Sequence, residues 1–238
     1  MQTPVSLFTS APAASDQSAS AQAEKQTVPL VDVQQPADLE RESAAVISGQ
    51  SVSETGLSDL AMKASTCRLC GLAETRTKVV FGTGSPTADL LFVGEAPGHD
   101  EDLKGEPFVG EAGLLLDRML AATGMDRNQV YIMNTVKCRP PNNRDPRADE
   151  VQACRLWFDQ QLELLQPKMI CLLGRVAAQT VLGSDESLGT LRGRWHDYHG
   201  IPVWVTYHPG YLLRSPRQKQ KSWQDLQGLL ARFKVLSI

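Results

Sequence analysis

No run of about 18 apolar residues occurs anywhere in the 238-residue chain, which excludes a membrane-spanning helix. The N-terminus lacks the basic start and continuous apolar stretch of a secretory signal, so a reducing, cytoplasmic compartment is expected. Internal repeats are missing. Aromatics are nearly missing from the first 60 positions, where Phe8 stands alone among Ala, Ser, Gln and Val. That segment shows no sustained period of 3.6 or 2, cannot build a buried face, and is expected to be disordered. It carries eight acidic and two basic side chains, which leaves 22 basic and 19 acidic ones for the rest of the chain. The expected organisation is an acidic tail over 1–60 and a mildly basic folded domain over 61–238.

Within the domain, short apolar runs rich in β-branched residues alternate with stretches of helical period, which is the pattern of an α/β fold. Strands are predicted over 89–93, 130–133, 168–173 and 203–206. Helices are predicted over 111–122, 148–165, 175–182 and 222–235, the last with Trp223, Leu226, Leu230 and Phe233 inward. This alternation with short connections predicts a parallel sheet covered by helices on both faces. The loops at the carboxyl ends of such strands converge on one crevice. Three unusual loops occupy those ends: 94–110, 134–145 and 207–214.

Cysteine is scarce, but four of the five are set in two pairs, Cys67-x2-Cys70 and Cys138-x15-Cys154. A disulfide pairing is disfavoured by the expected reducing compartment. Structural zinc sites draw ligands from two tight knuckles, and the second pair is no knuckle because it spans a Pro-rich loop and a helix start. Four cysteines at mixed spacing suit an iron-sulfur cluster better, with zinc as the alternative. Cys171 lies in an apolar strand and reads as an inert core thiol. From Ser187 onward eight Lys and Arg side chains face only two Asp, a balance that suits either a polyanion partner or a solvated helix face.

Several motifs stand in one order: Cys67-Arg-Leu-Cys70, Val93-Gly94-Glu95-Ala96-Pro97-Gly98, Gly105-Glu-Pro-Phe108-Val-Gly110, Asn134-Thr-Val-Lys-Cys138-Arg-Pro-Pro-Asn-Asn143, Cys154, and His208-Pro209-Gly-Tyr-Leu-Leu-Arg214. Together they resemble the family 4 uracil-DNA glycosylases, iron-sulfur base-excision repair enzymes, from about residue 64 to 233. The resemblance implies a three-layer α/β/α fold with a central four-stranded parallel sheet, and a [4Fe-4S] cluster held by Cys67, Cys70, Cys138 and Cys154 in a structural role. Two departures stand out: Glu106 and Glu111 occupy positions where the family usually has Arg, which should weaken DNA binding. The passage from Pro140 to Asp145 carries no inserted basic loop with a nucleophilic His, as a uracil-crosslinking sister group does.

The implied chemistry is hydrolysis of the N-glycosidic bond of deoxyuridine by a monofunctional enzyme, after the nucleotide is rotated out of DNA into a pocket. Phe108 would replace the lost stacking. Asn134 would read the base edge, its amide NH2 donating to O4 and its carbonyl accepting from N3–H, a pattern that rejects cytosine. His208, with backbone N–H groups of Gly94, Ala96 and their loop, would stabilise charge developing at O2, and Glu95 would stabilise the sugar cation and orient water. Glu101 would help to exclude the methyl group of thymine. Leu212 or Leu213 would wedge into the duplex, with Arg214 on phosphate. Taken singly, these residues are ordinary turn, cap or core residues; their meeting on strand-end loops gives them weight. The expected partner is uracil-containing DNA, with a protein partner for the tail, no membrane, and a monomeric state near the nucleoid. The competing reading is an iron-sulfur scaffold that recruits replication or repair proteins through its tail.

Overall fold

The computed structural model describes residues 49–236. Of the tail expected to be disordered over 1–60, residues 1–48 fall outside them. The described residues begin with α1 (Gly49–Ser65), so residues 49–60 are helical rather than disordered and the boundary expected at residue 61 falls inside a helix. Leu57, Leu60 and Ala64 are buried, and a Cβ at Gly56 would stand 2.9 Å from Leu164 of the long helix α4 (Ala148–Leu165). The apolar stripe of α1 starts only at Leu57, behind a turn of small and polar residues that hides the helical period.

β1 (Thr83–Gly84), β2 (Leu90–Gly94), α2 (His99–Lys104), α3 (Glu111–Ala122) and β3 (Tyr131–Asn134) precede α4. β4 (Met169–Leu173), α5 (Arg175–Leu182), α6 (Leu188–Leu191), β5 (Trp195–Tyr198), β6 (Ile201–Thr206), α7 (Pro209–Arg214) and α8 (Lys219–Leu236) follow it. The sheet runs β1-β3-β2-β4-β6-β5. Its four central strands are parallel, as expected, and short antiparallel strands close both edges, which gives six strands rather than four. The edges went unread because β1 is two residues long and β5 carries the polar His196 and Asp197.

Alternation along the strands sends Leu91, Val93, Met133, Ile170, Val203 and Val205 to one face, against Phe158 and Leu165 of α4 and Ala177 and Val181 of α5. Leu90, Phe92, Ile132, Cys171, Leu173 and Trp204 point to the other, against Leu116 and Leu120 of α3 and Leu226 and Leu229 of α8. These two cores make three layers. Cys171 is fully buried, and its thiol is pushed well up by burial, as an inert core residue requires. The inward stripe of α8 differs from the prediction: Ser222, Asp225, Leu226 and Leu229 are buried, whereas Trp223 is 39% exposed. Asp225 pairs with Arg192 at 2.6 Å and accepts from the Thr206 hydroxyl at 2.8 Å. A buried polar network has no hydrophobic period, so the helix turns about one position from the face that apolar residues alone would choose.

Because β2 leads first to β3 on one side and the chain then crosses to β4 on the other, the carboxyl ends of these strands form a switch point, where parallel sheets bind ligands.

Candidate active site and cysteine centre

Glu95, Ala96, Phe108, Asn134, His208 and Arg214 all line one cavity of about 350 Å³ at that crevice, brought together from three separate loops. Gly94 is not on its wall. It ends β2 in register with Asn134, and any Cβ there would stand 2.4 Å from Asn134 Oδ1 and 2.7 Å from Phe108 Cζ, so glycine makes the room in which the two side chains meet. The backbones are tied together behind them: Thr135 and Val136 donate their N–H groups to the carbonyls of Gly94 and Glu95 at 3.0 and 3.1 Å.

Phe108 holds a left-handed backbone (φ 54°) at which a bulky residue is strained. Two devices hold it there. Arg127 donates to the carbonyls of Pro107 and Phe108 while paired with Asp117 at 3.0 Å. Glu101 accepts from the backbone N–H groups of Val109 and Gly110 with one oxygen, at 2.9 and 3.0 Å, and from Gly98 with the other, at 3.1 Å. Expected only as a wall against a methyl group, Glu101 lines the cavity and also clamps the loop of Gly98 to that of Phe108.

Asn134 is 2% exposed, and its Oδ1 is buried with no hydrogen-bond partner among the described residues. Such an orphan acceptor costs about 1–3 kcal/mol. Its main-chain carbonyl accepts from Nζ of the fully buried Lys137 at 2.8 Å, and that nitrogen lies 6.0 and 5.9 Å from the ring centroids of Phe81 and Phe158.

His208 caps α7: its Nδ1 accepts from the N–H of Gly210 at 3.0 Å, which leaves the ring proton on Nε2. Burial, reinforced by the Arg214 cation and opposed by Glu101, lowers its pKa to about 4, so at neutral pH the imidazole is an uncharged donor. Its ring lies 5.5 Å from that of Phe108, centroid to centroid. Glu95 moves the other way. Burial first, and the Asp145 carboxyl within hydrogen-bonding reach second, raise its pKa to about 7, against the pull of Arg175. Asp145 in turn pairs with Arg175 at 2.6 Å. Asp145 and Asn143 on this wall escaped the sequence reading, because their loop has neither hydrophobic period nor paired spacing; its one signal is the Pro-Pro-Asn-Asn turn, where Asn142 and Asn143 adopt φ of 56° and 53°.

On α7 the expected DNA contacts divide. Leu212 is 1% exposed and packs inward, so it is not available as a wedge; Leu213, at 38%, is presented to solvent beside Tyr211 and Arg214.

Cys67, Cys70, Cys138 and Cys154 face one apolar cavity with Ala64, Val79, Val136 and Trp157. No three of the His, Cys, Asp and Glu side chains among the described residues close on a single point as the ligands of one ion do. Four thiol sulfurs around one shared apolar cavity fit an iron-sulfur cluster, whose irons take thiolate ligands. Three of them already accept N–H groups: Cys67 from Trp157 Nε1 at 3.1 Å, Cys138 from Arg76 at 3.3 Å, and Cys154 from the main chain of Lys137 at 3.2 Å. Such donors stabilise thiolate charge. Trp157 therefore contributes a polar contact as well as packing to this cavity.

The sequence profile of the Uracil DNA glycosylase superfamily matches residues 81–227. A type-4 uracil-DNA glycosylase of Archaeoglobus fulgidus is 42% identical over 179 residues, covering 72% of this chain and 90% of that protein. One from Thermotoga maritima is 44% identical over 151 residues, covering 63% and 79%. A type-5 uracil-DNA glycosylase of Pyrobaculum aerophilum is more distant, at 32% over 146 residues, covering 54% and 64%. The chain belongs to the uracil-DNA glycosylase superfamily and, within it, to the type-4 group.

Proposed function

We propose that the protein is a monofunctional uracil-DNA glycosylase that hydrolyses the bond between uracil N1 and C1′ of an extruded deoxyuridine. The observation that carries this reading is the unpartnered, buried Oδ1 of Asn134 on the cavity wall. It is an acceptor kept dry for a donor, and N3–H of uracil is one, while the amide NH2 suits O4. Cytosine offers an acceptor at N3 and a donor at C4, which would leave both amide groups opposed; such mismatches discriminate by about 10⁴-fold or more.

Phe108 covers the face of the base. As the bond breaks, its electron pair moves onto uracil and O2 becomes anionic; the neutral Nε2–H of His208 donates there, where preorganised donors are worth about 2.7–4 kcal/mol. A neutral imidazole need not give up its proton, so the base leaves as a stabilised anion. The sugar becomes cationic at C1′, and the Glu95 carboxylate balances that charge and takes the proton released as water adds to C1′. Cys67, Cys70, Cys138 and Cys154 hold a [4Fe-4S] cluster, which supplies structural cross-linking rather than electrons. Exposed Leu213 and Arg214 meet the duplex and a phosphate. The net negative charge of residues 1–60 suits a protein partner better than DNA.

The test is incubation with an oligonucleotide carrying one uracil, followed by alkali. Strand scission at the uracil is expected, with a sharp loss in Asn134→Asp, whose carboxylate cannot donate to O4. Absence of scission at every salt concentration would overturn the reading.

A further inference from the structure

We infer that Tyr211 is a stacking platform for the nucleobase adjoining the extruded uracil, bound in a second cavity that shares a wall with the first. The inference rests on the uracil-DNA reading of the site. This second cavity, of about 550 Å³, is lined by Glu95, Asp145, His208 and Arg214, which also line the first, and is completed by Arg175, Tyr207 and Tyr211 among others. The sugar being cleaved stands at the common wall in the proposed mechanism. The neighbouring nucleotide, one phosphodiester link away, then falls in the second cavity.

Tyr207 and Tyr211 on its wall are the outer members of a column of flat groups fixed at its far end. Asp225, itself buried, holds Arg192 at 2.6 Å. The Arg192 guanidinium lies 4.9 Å over the ring of Tyr207, whose hydroxyl donates to Gln218 Oε1 at 3.3 Å. Tyr207 stacks on Tyr211 with ring planes 14° apart and centroids 5.5 Å apart. There the column stops: among the described residues no further ring or cation is stacked on Tyr211, which is 38% exposed. A planar aromatic face held rigid beside Arg175 and Arg214 matches a base on a phosphate backbone, and stacking of this kind tolerates any sequence because every base has a π face. Extrusion of the uracil strips its neighbour of a stacking partner, and Tyr211 restores one. A single strand can splay that neighbour onto the ring while a paired duplex resists, so the platform favours uracil in single-stranded DNA, with purine neighbours preferred for their larger face.

Two single-stranded oligonucleotides test this, each with a tetrahydrofuran abasic analogue in place of the uridine and 2-aminopurine on its 5′ side in one and on its 3′ side in the other. One of the two fluorophores is expected to be quenched on binding. Tyr211→Phe keeps the quench, and Tyr211→Ala loses it and binds about tenfold more weakly. If neither probe is quenched by the wild-type protein, or if Tyr211→Ala quenches and binds as the wild type does, the platform is wrong. Wild-type excision from a uracil-containing strand is measured alongside. Its absence would overturn the uracil reading, whereas normal excision with no Tyr211-dependent quench overturns the platform alone.

Discussion

Gly94 and Asn134 are register partners at the carboxyl ends of β2 and β3, and they stand so close that a Cβ on the glycine would lie 2.4 Å from the unpartnered Oδ1 of Asn134. Gly94→Ala must displace either that amide or the Phe108 ring. Overpacking of this sort costs about 1–3 kcal/mol. The expected result is a fall in kcat/KM for uracil excision of about 10- to 100-fold, with a folded protein by circular dichroism; unchanged kinetics would mean that the amide does not sit where the base binds.

The raised pKa of Glu95 sets the pH dependence. Its charged neighbours are Asp145 and Arg175, with Glu101, Arg144, His208 and Arg214 along the same wall. If its carboxylate is the working form, kcat/KM rises with pH through about 7. Asp145→Asn removes a like charge and moves that limb to lower pH; Arg175→Ala removes a cation and moves it to higher pH. Shifts of opposite sign in a pH–rate profile are expected, and a purely structural loss would lower the plateau without moving the limb.

Stability carries its own signature. His208 binds its proton less readily folded (about 4) than unfolded, so from its ordinary value of 6.5 downward acidification favours the unfolded chain. Glu95 binds its proton more readily folded (about 7, against 4.5 unfolded), so acidification between those values favours the fold. The two slopes oppose each other between about 4.5 and 6.5. In Glu95→Gln the His208 slope is no longer opposed, and urea titrations should show stability dropping more steeply than in the wild type as the pH is lowered across that window.

Leu212 and Leu213 are neighbours in sequence with opposite environments. Leu212→Ala removes a buried side chain and should destabilise by about 2–5 kcal/mol in urea unfolding. Leu213→Ala should leave unfolding within about 0.5 kcal/mol of the wild type but slow excision from duplex substrate more than from a single strand.

The cysteine centre is tested by iron content and visible absorbance. Cys154→Ala should abolish both and lower the melting temperature. Trp157→Phe keeps the packing but removes the N–H donated to Cys67, so iron remains bound and is released faster to a chelator.

The site was more legible in the sequence than the fold around it. Glu95, Asn134 and His208 share one cavity because each ends or closely follows a parallel strand, and strands of that kind announce themselves through apolar runs; Phe108 joins them from the loop between α2 and α3. Helices α3, α4 and α5 fall where their periods and closing residues put them. What escaped is held by polar contacts or by very short pairing. β1 is two residues long, α1 has an apolar stripe over only its last turns, and the face of α8 is set by Asp225. Asp145 could not be foreseen because its importance arises from facing Glu95 across space, and nothing local in the chain records that meeting. Leu212 and Leu213 were interchangeable by chemistry, and only the direction of a six-residue helix separates them.

Lys137 reaches both ways, its main-chain N–H to the sulfur of Cys154 and its ammonium to the carbonyl of Asn134. The stretch from Asn134 to Cys138 is therefore a ruler of fixed length between two anchors. One inserted or deleted residue there would throw the Asn134 amide and Cys138 out of step at once. Natural length variants should be barred from this stretch and tolerated instead in the irregular connection at residues 184–187, where 185–187 are exposed.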